Sequence, residues 1–159
     1  MATGNHSRDI HVRIFHKLLN VVPDLLTIEE YGKSEVEGYM DLNLDVLNRT
    51  PSKIVIALSH YYKHPSGDMI PDPDMVVVVY PEKERAEALS YQDLYSYREV
   101  YGSGAQADMN AKRSLNDFLN AWLRNLVQQG HRINSSQAAN AQMSPENFKA
   151  PGNMAELMP

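Results

Sequence analysis

Residues 38–46 read Gly-Tyr-Met-Asp-Leu-Asn-Leu-Asp-Val, and apolar side chains alternate with polar ones through the stretch. Met40, Leu42, Leu44 and Val46 fall on one side of an extended chain, because successive side chains of a strand point to opposite faces. The polar residues between them fall on the other side. The stretch therefore predicts a strand with one buried face and one solvent face.

Two more strands are predicted directly after this one. Residues 48–52, Asn-Arg-Thr-Pro-Ser, are typical of a turn, and alternation resumes at Ile54, Ile56 and Leu58. We therefore expect an antiparallel hairpin. Residues 64–74 are rich in Pro, Gly and Asp and are predicted to form a loop. The continuous apolar run that follows indicates a central strand covered on both faces.

Residues 86–101 complete the predicted sheet as one long or broken final strand. A helix is predicted before the sheet, because apolar residues in 10–22 recur at spacings of three and four, and Pro23 ends it. A second helix is predicted over residues 108–129, which carry a sustained apolar stripe, and Gly130 ends it.

This order of elements predicts an α+β domain. We expect a four-stranded antiparallel meander sheet with an N-terminal and a C-terminal helix packed on one face. The domain is placed at residues 7–131. Residues 132–159 are rich in Asn, Gln, Ser, Ala and Pro without a sustained period, so a flexible, disordered C-terminal tail is expected.

Composition limits the function classes. The chain has no cysteine, which excludes disulfides, thiolate metal sites and a cysteine nucleophile. Its formal net charge of −5 disfavours direct nucleic-acid binding, which needs a basic surface. No apolar run approaches a membrane span and no secretory signal is visible. We therefore expect a soluble cytoplasmic protein with no membrane partner, and we predict no cofactor.

Acidic residues are concentrated between residues 24 and 45, where seven acids accompany the single base Lys33. Side chains two residues apart on a strand are separated by about 6.7 Å, close to the spacing of neighbouring phosphates. A carboxylate array of this kind imitates nucleic acid toward a protein with a basic surface. The alternative is an ordinary solvated face. The candidate partner-binding residues are Glu35, Glu37, Asp41, Asn43 and Asp45.

A second polar cluster occupies residues 60–74. Imidazole and carboxylate groups at this density suit a metal ion or general acid and base catalysis. The competing interpretation is that the aspartates only shape turns in a Pro-rich loop. The residues that we single out here, with no assigned role, are His60, Tyr61, Gly67, Asp68, Asp72, Pro73 and Asp74.

Four tyrosines in the predicted final strand, Tyr91, Tyr95, Tyr97 and Tyr101, share one parity. In a regular strand they would line one face, which favours core packing, protein contact or a structural subunit that oligomerises. Acids interleaved with them would repel phosphates, so this pattern also disfavours single-stranded nucleic acid.

Four blocks of sequence carry a family resemblance: Leu58-Ser59-His60-Tyr61-Tyr62 through Gly67-Asp68, Asp72-Pro73-Asp74-Met75, Glu87-Ala88-Leu89, and Asn116-Asp117-Phe118-Leu119-Asn120-Ala121-Trp122-Leu123. From about residue 14 to residue 131 the chain resembles the YqiB-like uncharacterised bacterial proteins and a related domain family of unknown function found in plasmids and integrated mobile elements. The resemblance implies a shared fold and carries over no activity.

These observations favour a non-enzymatic protein-interaction domain of a bacterial mobile element or phage. In its specific form, the hypothesis is an inhibitor of a host nucleic-acid-targeting defence complex that acts through the acidic face. The alternative is a small metal-binding protein or enzyme centred on His60, Asp68 and Asp74. The sequence does not predict an oligomeric state.

Overall fold

The structure is a computed structural model that describes residues 9–102 and 106–134. Its elements in chain order are helix α1 (Ile10–Val21), strands β1 (Tyr31–Ser34), β2 (Leu42–Arg49), β3 (Ile54–Lys63) and β4 (Met69–Tyr80), a 3₁₀ helix (Pro81–Lys83), strands β5 (Arg85–Gln92) and β6 (Tyr97–Glu99), and helix α2 (Met109–Gln129). None of the described helices has a stretch long and apolar enough to cross a bilayer.

The strands of the described residues form one six-stranded sheet in the order β1-β2-β3-β4-β5-β6, and every neighbouring pair is antiparallel. The prediction of a four-stranded sheet is therefore wrong, although the fold is α+β. The two missed strands are both edge strands. With four and three residues, β1 and β6 are too short to show a period-two pattern.

Residues 86–101 do not form one strand. They form the β5–β6 hairpin, because Asp93 accepts hydrogen bonds from the backbone N–H groups of Tyr95 and Ser96 at 2.9 Å each and so shapes a turn. The predicted loop over residues 64–74 is also shorter than expected, since β4 already begins at Met69. Pro71 and Pro73 lie in this part of β4, and because proline is uncommon inside strands the sequence pattern favoured a loop there.

Both helices begin after an aspartate that caps their first turn, and α2 ends at a glycine. Asp9 caps α1 through Oδ1, which accepts from His11 N at 2.9 Å. Asp108 caps α2 by accepting from Ala111 N at 3.0 Å. Gly130 ends α2 in the left-handed conformation with φ of 94°, which confirms the predicted stop.

The core lies between the two helices and one face of the sheet. The helices contact each other, and both contact β5. The inner sheet face contributes side chains that are 0% exposed, and burying each one stabilises the fold by about 1.5–3 kcal/mol. These residues include Leu44, Ile56, Leu58, Met75 and Val77. The opposite face, here called the outer face, carries Asn43, Asp45, Ala57, Ser59, Asp74 and Val76.

Helix side chains cover the part of β5 that β6 does not reach, since β6 pairs only with residues 90–92. The Ala88 N–H donates to Oδ1 of Asn116 at 2.8 Å, and Nδ1 of His11 lies 3.2 Å from the carbonyl oxygen of Ala86. Asn116 is only 2% exposed. Edge groups left bare would be open to pairing with another chain, so these contacts protect the sheet.

The chain after α2 returns to β1. Ser34 Oγ lies 2.9 Å from Nδ1 of His131 and accepts from Arg132 N at 3.0 Å. Ile133 is 0% exposed, and its N–H donates to the Val21 carbonyl at 2.7 Å. Asn134 is the last described residue of the tail predicted over residues 132–159, and residues 135–159 lie outside the described residues.

Candidate functional site

An open depression of about 450 Å³ lies on the outer face, over strands β2, β3 and β4. Its lining includes Glu30, Asp45, Ala57, Ser59, Tyr61 and Asp74. The depression arises because β3 places two small residues, Ala57 and Ser59, between strands that carry longer side chains. In the sheet register Asp45 lies opposite Ala57, and Asp74 lies opposite Ser59, so the two carboxylates stand diagonally across β3.

Asp74 is held by a tyrosine of the neighbouring strand. The Tyr61 hydroxyl donates to Oδ2 of Asp74 at 2.6 Å, the short length typical of a charge-assisted bond. Burial raises the pKa of Asp74, and this hydrogen bond partly opposes the rise. Burial together with the nearby Asp74 also raises the pKa of Tyr61. The hydrogen bond therefore orients the Asp74 carboxylate, and Asp74 retains one oxygen that Tyr61 does not bind.

Asp45 has the most perturbed carboxylate of the site. Crowding in the depression raises the pKa of Asp45 to about 6, and the negative charge of Asp74 adds to this rise. The side chain still reaches solvent, so the raised pKa reflects a crowded concave surface and not full enclosure. None of the ion pairs within the described residues involves Asp45 or Asp74. No cation of the described chain offsets this pair of like charges.

Tyr31 of β1 lies opposite Asp45 in the sheet register, and nearby acids affect its pKa. Its hydroxyl donates to Oδ1 of Asn43 at 3.2 Å. Burial, followed by the charges of Asp45, Asp41 and Glu35, raises the pKa of Tyr31 to about 12. The acids of the β1–β2 hairpin and of the outer face therefore act on one shared region.

The acidic residues predicted from sequence occupy two places. Glu35, Glu37 and Asp41 are exposed in the connection between β1 and β2, where Lys33 Nζ lies 3.2 Å from Glu35 Oε2 and 3.5 Å from Asp41 Oδ2. Asn43 and Asp45 lie on the outer face of β2 itself. The regular array expected along one strand is thus limited to these last two residues. Lys33 neutralises part of the charge in the connection.

The residues of the His60 to Asp74 cluster lie on different surfaces. His60 is 8% exposed on the inner face, with its ring 5.4 Å from that of Trp122 and Nδ1 2.8 Å from the Asp41 carbonyl oxygen. Asp74 and Tyr61 line the outer depression. The sheet therefore separates His60 from Asp74.

The remaining residues of this cluster belong to the β3–β4 turn and the start of β4. Asp68 is exposed and accepts from Ser66 Oγ at 3.2 Å, and Gly67 takes a positive φ of 100°. Asp72 is exposed, whereas Pro73 is buried. Within residues 9–102 and 106–134, no three His, Asp or Glu side chains are arranged to hold a metal ion.

The tyrosines 91–101 do not line one face, because the turn at Asp93 divides them. Tyr91 packs its ring 5.3 Å from that of Phe118 at the edge of the core. Tyr95, at the turn, is 89% exposed, and Tyr97 follows in β6.

The sequence did not predict that Asp74, Tyr31 and Ser59 lie near Asp45. Asp74 and Val76 share the parity of an outer face, a signal that the apolar run after residue 74 obscured. The predicted meander places β4 two strands from β2, but it does not give the register that sets Asp74 diagonally across β3 from Asp45.

A family model described as "Domain of unknown function (DUF6908)" matches residues 13–132. The chain belongs to this family. The matched region runs from α1 to the segment that follows α2, so the DUF6908 domain contains all six strands and the outer depression. The predicted resemblance to a domain family of unknown function is therefore confirmed. No curated protein and no solved structure matches the chain.

Proposed function

We propose that this DUF6908 domain is a non-enzymatic protein-interaction module whose acidic outer face binds a basic protein surface. The observation that carries the proposal is the pair Asp45 and Asp74, two carboxylates with raised pKa values and no cation in ion-pair contact among the described residues. Like charges held this way destabilise the free domain. A basic partner would remove that penalty on binding.

Other acids near the outer face also favour a basic partner. Acids of the β1–β2 connection add negative charge near Asp45: after burial, the charges of Asp45, Asp41 and Glu35 raise the pKa of Tyr31, which lies opposite Asp45 in the sheet register. A surface of one sign steers an oppositely charged partner, and this effect weakens as salt screens it. Binding should therefore be fast at low salt and should weaken strongly at high salt.

The specific form of the proposal is an accessory protein of a bacterial mobile element or phage that acts in the cytoplasm on a host nucleic-acid-targeting defence complex. Such complexes hold nucleic acid in basic channels, and a negatively charged protein face competes for the same surface. The support for this form is the acidic outer face together with the sequence resemblance to mobile-element proteins.

The alternative, a metal-binding protein or enzyme centred on His60, Asp68 and Asp74, has less support from the geometry. His60 faces the helices, Asp74 faces the outer depression, and Asp68 lies in the exposed turn between β3 and β4. A shared site would need groups within hydrogen-bond or coordination distance of one reacting atom.

The test is a binding experiment with the full-length tagged chain in a bacterial lysate at low and high salt. A captured protein supports the proposal only when high salt releases it, when Asp41→Lys with Asp45→Lys abolishes its capture, and when the purified partner repeats both results. The matched control is Glu82→Lys with Asp117→Lys, two exposed acids outside the outer face. Unchanged capture by the Asp41 and Asp45 variant would refute the acidic-face proposal.

A further inference from the structure

Strand β1 is the first strand in the sheet order and forms one edge of the sheet. Just before it, the Val46 N–H donates to the Glu30 carbonyl at 2.8 Å. Hydrogen-bonded residues alternate along an antiparallel ladder, so every second residue of β1 turns its backbone groups toward β2. Counting from Glu30, the N–H and C=O groups of Tyr31 and Lys33 therefore point away from the sheet.

These outward groups are unpaired within residues 9–102 and 106–134. The hydrogen bonds of that part of the chain use neither the N–H nor the C=O group of Tyr31 or Lys33. The segment after α2 contacts the inner side of β1, where the Arg132 N–H donates to the buried Ser34 Oγ at 3.0 Å. Helix side chains cover the edge of β5, whereas β1 offers free backbone donors and acceptors. Edges of this kind pair with an added strand.

The charge around this edge indicates what kind of strand it accepts. Exposed acids flank β1 on both sides, namely Glu29, Glu30, Glu35 and Glu37. Lys33 Nζ lies 3.2 Å from Glu35 Oε2 and 3.5 Å from Asp41 Oδ2, so part of its own charge is offset. A second copy of β1 would bring the same acids against each other, which like-charge repulsion opposes. A basic segment is complementary to them.

We propose that the free edge of β1 binds an extended basic segment of the partner as an added antiparallel strand. This inference rests on the proposed function for the charge of the partner, and it adds a backbone contact that the proposed function does not require. Antiparallel pairing is the arrangement of every other pair of neighbouring strands in the described sheet. Tyr31 and Lys33 would together supply two donors and two acceptors.

This pairing also decides which side chains of the segment face which surface. Residues directly opposite Tyr31 and Lys33 lie on the outer face, because cross-strand neighbours share a face. A basic residue opposite Tyr31 approaches an aromatic ring on the side away from Asp45, which is the β2 neighbour of Tyr31. The next residue of the segment lies on the inner face beside Gly32, against which the buried Ile133 packs. The segment should therefore alternate basic and apolar residues.

The experiment measures binding of the full-length chain, at low salt, to the capped fluorescent peptide Arg-Val-Arg-Val-Arg-Val-Arg. Lys33→Pro removes the outward N–H and leaves the ladder with β2 intact, since proline is tolerated where an edge strand faces solvent. Lys33→Ala removes the same charge and keeps the N–H. We expect Lys33→Ala to bind at least as tightly as wild type and Lys33→Pro to bind at least about tenfold more weakly.

Two methylated peptides of identical charge test the pairing on the wild-type chain. In the antiparallel arrangement the arginine amides face β1 and the valine amides face solvent. Methylation of the arginine amide nitrogens should weaken binding at least about tenfold, and methylation of the valine amide nitrogens should change it by less than about threefold. Hydrogen exchange at the Tyr31 and Lys33 amides should slow at least about tenfold when the unmethylated peptide saturates the chain.

Equal binding of the two methylated peptides, equal affinity of folded Lys33→Pro and Lys33→Ala, or no binding of the unmethylated peptide would overturn the strand addition. Thermal unfolding verifies that Lys33→Pro is folded, and the methylated peptides decide the question on wild type if it is not. The result is separable from the proposed function. A salt-sensitive partner that is lost on charge reversal at Asp41 and Asp45, with equal binding of the methylated peptides, would refute this inference and leave the interaction proposal standing.

Discussion

The imidazole rings of His60 and His131 lie side by side in the core, with 5.9 Å between their centroids. They come from distant parts of the chain, one from β3 and the other from the segment after α2. His131 is 3% exposed, and its Nε2 makes no well-formed hydrogen bond to the described residues. The pair joins the end of the domain to the centre of its sheet.

This pair predicts a loss of stability in mild acid. Burial and the neighbouring His60 lower the pKa of His131 below its usual 6.5, and the Met40 carbonyl and the charge of Asp41 only partly oppose this shift. The unfolded chain therefore binds a proton at a higher pH than the folded chain. The free energy of unfolding should fall as pH drops through 6.5, until the folded state is also protonated.

Urea unfolding at pH 7.5, 6.5 and 5.5 measures the effect in the wild type and in His131→Gln. We expect the variant to be less stable at pH 7.5, because it disturbs the contact with Ser34, and to lose less stability on acidification. An equal loss in both proteins would show that His131 does not control the response.

Asp45→Asn should stabilise the domain at neutral pH. The folded-state pKa of about 6 lies above the ordinary value of 3.8, so the ionised carboxylate destabilises the folded state above pH 6. The gain is on the order of 1 kcal/mol, once the shift is discounted for the solvent that reaches this side chain. It should disappear as pH falls toward 3.8, since both states are then protonated.

Chemical unfolding at pH 7.5 and pH 4.5 checks this, with Asp117→Asn, an exposed acid of α2, as the matched control. The same stability in Asp45→Asn and wild type at pH 7.5 would mean that Asp45 carries no penalty. A gain would show that the ionised Asp45 carboxylate destabilises the folded domain.

Asn116→Ala should destabilise the domain by about 1–3 kcal/mol, because it leaves the buried Ala88 N–H without an acceptor. Asn125→Ala, an exposed position of the same helix, should change the free energy of unfolding by less than about 0.5 kcal/mol. Hydrogen exchange at the Ala88 amide provides a local readout. Unchanged protection there in Asn116→Ala would contradict the edge-covering role.

Sequence periodicity predicted the elements that are long and half-buried. The alternation that contains Leu42 and Leu44 marks β2, and the apolar stripe ending at Gly130 marks α2. The edge strands β1 and β6 were not predicted, because strands of four and three residues are too short to show alternation. Pairing with the neighbouring strand stabilises them more than their own sequence does.

The candidate site was predictable only in part, for a related reason. Asn43 and Asp45 follow from the parity of one strand, which a sequence displays directly. Their relation to Asp74 depends on the register of β3 with β2 and with β4, and this register is set by packing across the sheet. The separation of His60 from Asp74 has the same origin, because closeness in sequence does not decide which face of a sheet a residue occupies.

The meander order bears on how the chain folds as it is synthesised. Each strand pairs with the one made just before it, so the sheet can grow through short loop closures, which favour rapid folding. Helix α2 is the last described element to leave the ribosome. Until it arrives, only α1 is available to cover the apolar side of the sheet, so part of that apolar surface stays exposed in the nascent chain, where chaperones can bind it.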